Sequence, residues 1–454
     1  MAISSSALKN KWYANEYLYL IFFWSAYLFL CIYFYVARST YADNGYYVFH
    51  IIQKENFNLE HLRFGGICTQ WMAVLAVRLH LPLKYVMLAF SINPWFWYLL
   101  IFSGIRYLSK EKWISYCLLL GMTGTLHHAF YFINSELAEG CGLLFLLVAV
   151  FRSDKLNAGK RLGMTIIILS FMLFLHLFLL LISLMLVALH YAQYREKKDL
   201  PAGIFAILFL FLKMFFVKDG YENSVLGHID LKFLTLKNVY ASYFPQFLFH
   251  NILHFYLPAV LLLLILFFSS RTSLLFKLIF FSGIAGIYLL LVLYLKGGSF
   301  PAYSDLYSSV LFYFIWASLA IVISSEQVRE NYFIPLTTLV VLFSFASLIM
   351  EKEYAEREHY LISEMDQGPD KQIIPLQSVP VDFSFSSWSV PYETLLMSSS
   401  AGTSKTILLD DHYDIHSYLS DSTLFLGASW AFGSQTKLNE RYFRLRNSLY
   451  VERR

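Results

Sequence analysis

Apolar runs of membrane-crossing length recur along this chain, and the short loops between them carry basic residues in a consistent alternation. The first run covers residues 17–37 and follows Lys9 and Lys11. The run at 84–105 ends at Arg106, Lys110 and Lys112, and the runs at 113–127 and 138–151 lead to Arg152, Lys155, Lys160 and Arg161. Residues 162–191 are apolar throughout and end at Arg195, Lys197 and Lys198. One helix would carry that basic cluster to the wrong side; a hairpin of two short helices, with His176 near its tip, keeps it with the others. Spans at 201–217, 251–268, 274–295, 306–324 and 331–350 put Arg271, Lys277 and Arg329 on the same side. Residues 67–80 are apolar but short, interrupted by Arg78 and His80 and followed by Pro82, and read as a helix lying at the outer interface. The pattern predicts an all-α polytopic bundle of about eleven transmembrane helices with a cytoplasmic N-terminus.

Composition agrees. The chain is 58% hydrophobic and 15% charged over 454 residues, too little charge to cover a soluble protein of this size. A formal net charge of +4 does not suggest nucleic-acid binding. Cys31, Cys68, Cys117 and Cys141 lie in or beside apolar runs without a CxxC pair and read as apolar fillers. The first run lacks a small-residue cleavage site and reads as a retained helix.

From Glu351 the character changes. The expected division is a membrane domain over 1–350, a charged helix and proline-bearing linker over 351–380, and a small α+β outer domain over 381–454. Alternation such as Asp382-Phe383-Ser384-Phe385-Ser386 predicts strands in 381–430. The run Asp410, Asp411, His412, Asp414, His416 matches no metal-loop spacing and reads as a solvated turn.

Ionisable residues at the outer face carry the functional reading. Asp43, in Tyr41-Ala42-Asp43-Asn44-Gly45-Tyr46-Tyr47, is an acid just outside the first span, able to accept a proton from an attacking hydroxyl or to cap a helix starting near Gly45. His61 and Arg63 close the same loop, and Arg63 suits a phosphate. His127 and His128 lie in the next outer turn, and Glu136 and Glu139 open the following span on one helical face. Lys296 and Tyr303 mark a late outer loop, Lys296-Gly297-Gly298-Ser299-Phe300-Pro301-Ala302-Tyr303.

A first span, an outer acidic motif with tyrosines, an interfacial helix, a long second span and a short hairpin with Asn134-Ser135-Glu136 resemble the GT-C superfamily of polyprenyl-phosphate-sugar-dependent membrane glycosyltransferases, such as protein O-mannosyltransferases and aminoarabinose transferases. The resemblance covers roughly residues 10–350 and rests mostly on arrangement. It implies Asp43 as catalytic base or metal ligand and a lipid-phosphate seat near Lys296. The sequence departs from the family where a second acid is common and Asn44 stands instead. Glu55 and Glu60 have no matching family position. The resemblance implies sugar transfer from a polyprenyl-phosphate donor to a glycan, lipid or protein acceptor at the outer face of a bacterial inner membrane, with a periplasmic C-terminus. The substrate-binding set is His61, Arg63, His127, His128, Glu136, Lys296 and Tyr303; a divalent metal is left open. The alternatives are an envelope-polysaccharide polymerase or ligase, disfavoured by the absence of Arg from 218–250, and a transporter, disfavoured by the lack of related halves.

Overall fold

A computed structural model describes residues 5–124, 130–131, 136–218, 231–251, 272–295, 301–323, 351–380, 386–410, 424–427 and 437–452, with single positions between them. It is mostly helical. Helices α1 (Ser5–Tyr33), α2 (Tyr35–Thr40), α3 (Asp43–Lys54), α4 (Ile67–Arg78) and α5 (Leu83–Leu108) come first. They are followed by α6 (Lys112–Gly124), α7 (Glu136–Phe151), α8 (Ala158–Leu173), α9 (Leu177–Tyr194) and α10 (Leu200–Phe215). Among the described residues, four helices are long and apolar enough to cross a membrane: Glu16–Tyr33 within α1, α5, α9 and Leu274–Tyr294. Leu200–Phe215 and Leu306–Val322 are apolar but shorter. The spans expected at 251–268 and 331–350 fall outside the described residues, apart from isolated positions in the first.

The apolar stretch after Ala158 does break into two helices. The break falls at Phe174–His176, where the His176 ring accepts the Phe178 N–H and caps α9. Residues 67–80 form α4, which lies along α5 and is tied to it by Asn93: its Oδ1 accepts the Met72 N–H at 2.9 Å and its amide donates to the Cys68 carbonyl.

Three expectations need correction. The helix Pro301–Ile323 starts inside the expected late loop, because proline's fixed φ suits a first helical turn. Residues 367–380 are more than a linker. They hold strand β1 (Lys371–Pro375), the centre of a parallel sheet with β2 (Thr406–Asp410) and β3 (Val451–Glu452) in the order β2-β1-β3. Of the strands expected in 381–430, β2 is present at Thr406–Asp410, whereas Val390–Ser400 is the crossover helix of a β1–helix–β2 unit.

Side-chain alternation builds two small cores around this sheet. Ile374, Ile407 and Leu409 face the helices Glu351–Gln367 and Val390–Ser400, while Ile373 and Leu408 face Leu426 and Tyr450. A third core is shared with the bundle. Tyr392, Leu395, Leu396, Phe425, Tyr442 and Phe443 from the C-terminal region pack with Phe49 and Ile52 of α3, Val74 and Val77 of α4, and Phe90 of α5.

The bundle has two chemically distinct ends. At one, Glu16 pairs with Arg106 at 3.0 Å and with Lys112; Arg152 pairs with Glu111 at 3.5 Å, and Arg161 with Glu196 at 3.6 Å. This end gathers several of the basic loops. The opposite end of α5 packs with α3, α4 and the C-terminal region, and Glu136 at the start of α7 pairs with Arg63.

His50 sits in the shared core, ringed by Tyr46, Phe49 and Tyr392. Burial, with Lys54 adding, lowers its pKa to about 3. The folded state therefore binds fewer protons than the unfolded chain, and stability is lost as pH falls from about 6.5 towards about 3. Melting temperatures of detergent-solubilised protein should drop across that window, and His50→Gln should flatten the drop. Parallel pH profiles for the two proteins would contradict this placement of His50.

Candidate functional site

The site forms where the first polar stretch folds back on the bundle. Arg38, in the last turn of α2, is buried. Its Nε donates to Ser91 Oγ at 3.0 Å, its guanidinium also reaches the Ser91 and Phe130 carbonyls, and its charge lies 4.1 Å from the Phe130 ring centre. Three carbonyl and hydroxyl contacts of this kind stand in for water around a buried cation. The chain then reverses at Ala42, whose φ of 49° and ψ of −125° cost a non-glycine residue roughly 1–3 kcal/mol. Helix α3 begins at once, with Asp43 in its first turn, where a carboxylate complements the helix dipole.

Asn44 explains the departure from two adjacent acids. It is fully buried, and its Nδ2 donates to the Arg38 carbonyl at 2.9 Å and to the Tyr131 carbonyl at 2.5 Å. A carboxylate at that position has no hydrogen to donate.

Tyr47, one turn after Asp43, marks the centre of the site. Its hydroxyl is pushed well above its ordinary range, first by burial and then by the negative charges of Glu136, Glu60 and Asp43, with Arg63 pulling the other way. The charges of these four groups all act on the one phenol. Arg63 pairs with Glu136 at 3.3 Å, joining the loop before α4 to the start of α7. Gly65 makes that approach possible: its N–H donates to the Phe174 carbonyl at 3.1 Å, and a Cβ there would run into Leu175. Glu60 accepts the Tyr46 hydroxyl and Asn58 Nδ2, the latter at 3.4 Å. His176, at the hairpin tip, is kept well below its usual range by burial, with Arg63 and Lys213 adding.

Of the residues singled out from sequence, Arg63 and Glu136 pair directly, and their charges and that of Asp43 all act on Tyr47. His61 is at the rim, 4.0 Å from Glu60, with its backbone in the left-handed region. His127, His128 and Lys296 lie outside the described residues, as does the side chain of Tyr303. Sequence reading missed Tyr47, Glu60 and His176 as members of the cluster. Glu60, set aside beforehand as a bystander, is inside it; Glu55 stays at the surface and accepts from Asn439 at 3.3 Å. The two tyrosines after Asp43 were the one available signal.

The outer acids do not gather as a metal trio. Among the described residues, the only three ligand groups within 4.8 Å of one another are His190, Glu196 and Asp199, at the other end of the bundle. There His190 Nδ1 and Asp199 Oδ2 are 2.7 Å apart and Arg161 already pairs with Glu196, so positive charge is supplied by side chains. The acid-histidine run at 411–416 lies outside the described residues. An apolar groove of about 300 Å3 runs between α1 and α5, lined by Leu20, Ile21, Trp24, Trp95 and Leu99.

The chain matches no family model, no curated protein and no solved structure.

The Asn44 contacts make a direct prediction. Asn44→Asp would aim a carboxylate at two carbonyl oxygens and should cost about 1–3 kcal/mol of stability, seen as a lower melting temperature in detergent. An unchanged melting temperature would contradict the assigned hydrogen bonds.

Proposed function

We propose that this chain is a polytopic membrane glycosyltransferase that moves a sugar from a polyprenyl-phosphate-linked donor to a glycan, lipid or protein acceptor of the cell envelope. The observation that carries the reading is the Arg63–Glu136 ion pair, with Glu60 bonded to Tyr46 of the helix that Asp43 opens, at the end of the bundle opposite the paired basic loops. In this reading about eleven helices cross a bacterial inner membrane. The basic end is cytoplasmic, and the Asp43 end and the C-terminal region are periplasmic.

Asp43 acts as the base. It accepts the proton of the acceptor hydroxyl as that oxygen attacks the anomeric carbon and the bond to the phosphate oxygen breaks. Three carboxylates against one guanidinium leave a net charge of −2 when all are ionised (−3 + 1). That balance suits the positive charge that develops on an oxocarbenium-like sugar. Arg63, oriented by Glu136, takes the leaving phosphate. The groove between α1 and α5 offers an apolar seat for a prenyl chain. A single base, without an adjacent acid, fits the structural use of Asn44.

In membranes supplied with a panel of polyprenyl-phosphate sugars and envelope acceptors, Asp43→Asn should lower transfer by about 10²–10⁴-fold. Glu55→Gln should leave it close to wild type, and Glu60→Gln should fall between. Asp43→Asn at a normal rate removes the catalytic role; equal losses in all three point to loop folding. Orientation is tested separately. A reporter active only outside the cytoplasm should work when fused after Met350 and stay silent after Arg161. The reverse pattern would sink the assignment of sides.

A further inference from the structure

A carboxylate from the far end of the sequence reaches the turn that sets Asp43. Glu393, in the first turn of the helix Val390–Ser400, is almost wholly buried. Its Oε1 accepts the Ala42 N–H at 3.3 Å and the Ser389 hydroxyl at 2.5 Å. Arg357 grips the same carboxylate from the helix Glu351–Gln367. Its Nη2 reaches Oε1 at 2.9 Å, its Nε reaches Oε2 at 3.2 Å, and its remaining arm donates to the Phe383 carbonyl at 2.5 Å. Fork-like pairing of this kind fixes direction as well as distance.

The neighbours tighten the joint. Tyr354 stacks on Tyr131 with centroids 4.1 Å apart and meets Tyr41 edge-on at 4.4 Å. At Gly45 a Cβ would collide with the Thr40 carbonyl and lie 3.4 Å from the Glu393 nitrogen, so α3 and the Glu393 helix touch backbone to backbone. Ala42 itself holds the mirror image of an extended conformation, which glycine alone takes readily. Such a turn persists only where its surroundings hold it.

We infer that Glu393, locked by Arg357, is a positioning residue: it holds the Ala42 turn and with it the setting of Asp43 at the start of α3. This rests on the transferase reading only for why the position of Asp43 matters. A carboxylate suits the task because it accepts from Ala42, Ser389 and Arg357 at once. It also sits near the positive end of α3.

The test uses the full chain in detergent micelles, labelled with a carbodiimide and glycine ethyl ester and read by mass spectrometry at Asp43. Two charge-balanced pairs are compared. Arg357→Met with Glu393→Gln keeps an oxygen for the Ala42 N–H; Arg357→Met with Glu393→Ala does not. The first should label Asp43 at the native rate. The second should label it about tenfold faster, the scale of losing one hydrogen bond to a charged group, with Glu55 unchanged. Adding Ala42→Gly to the second pair should slow the labelling again, since glycine holds the turn without help. Native-rate labelling in both pairs, an equal rise in both, or no rescue by Ala42→Gly overturns the inference. Labelling reads the setting of the carboxylate whether or not it is a base. Normal transfer by Asp43→Asn would therefore remove the catalytic reading and leave this one standing.

Discussion

The Asp43 end of the bundle depends on the ion pair between Arg63 and Glu136. It is mostly buried, and a buried pair contributes little net stability but costs several kcal/mol when one partner is lost. Its effect is therefore one of arrangement. It fastens the loop from 55 to 66 against the start of α7, next to the hairpin tip at His176. With that loop in place, Glu60 comes within reach of Tyr46, and the charges of Glu60, Glu136 and Arg63 all act on Tyr47 of α3. The acid that opens α3 adds its charge to the same set.

Two further fastenings act on α3 from other directions. Arg38 and Asn44 bind its beginning to α5 and to the Phe130–Tyr131 backbone. Glu393 and Arg357 bind it to the C-terminal region. A helix of twelve residues is marginal by itself, and α3 gains its order from these contacts and from the shared core around Phe49. The C-terminal region thus shares the bundle's packing as well as having cores of its own.

Hydropathy made much of the helical layout legible, because a run of apolar residues names its own environment. The hairpin break before α9 was readable from the charge at Arg195, Lys197 and Lys198, and the short length of α4 from Arg78, His80 and Pro82. Asp43 was readable as the start of a helix beside a span. The remainder of the site was not. Glu60 and Tyr46 are fourteen residues apart, Arg63 and Glu136 seventy-three, and Ala42 and Glu393 three hundred and fifty-one. Contacts at such separations leave no periodic trace in one sequence. Strand β1 was hidden for a local reason: Pro375 ends it and Pro380 follows, so five strand residues resembled a proline-bearing connection.

The central claim is that a lipid-linked sugar sits at this outer cluster. The most direct measurement is an experimental structure with a non-hydrolysable polyprenyl-phosphonate sugar. The account predicts the phosphonate at Arg63, the anomeric carbon facing Asp43, and the prenyl chain leaving along α1 and α5. A ligand bound at the opposite end, near Arg152 and Arg161, or a sugar with no contact to the Asp43 cluster, would contradict it.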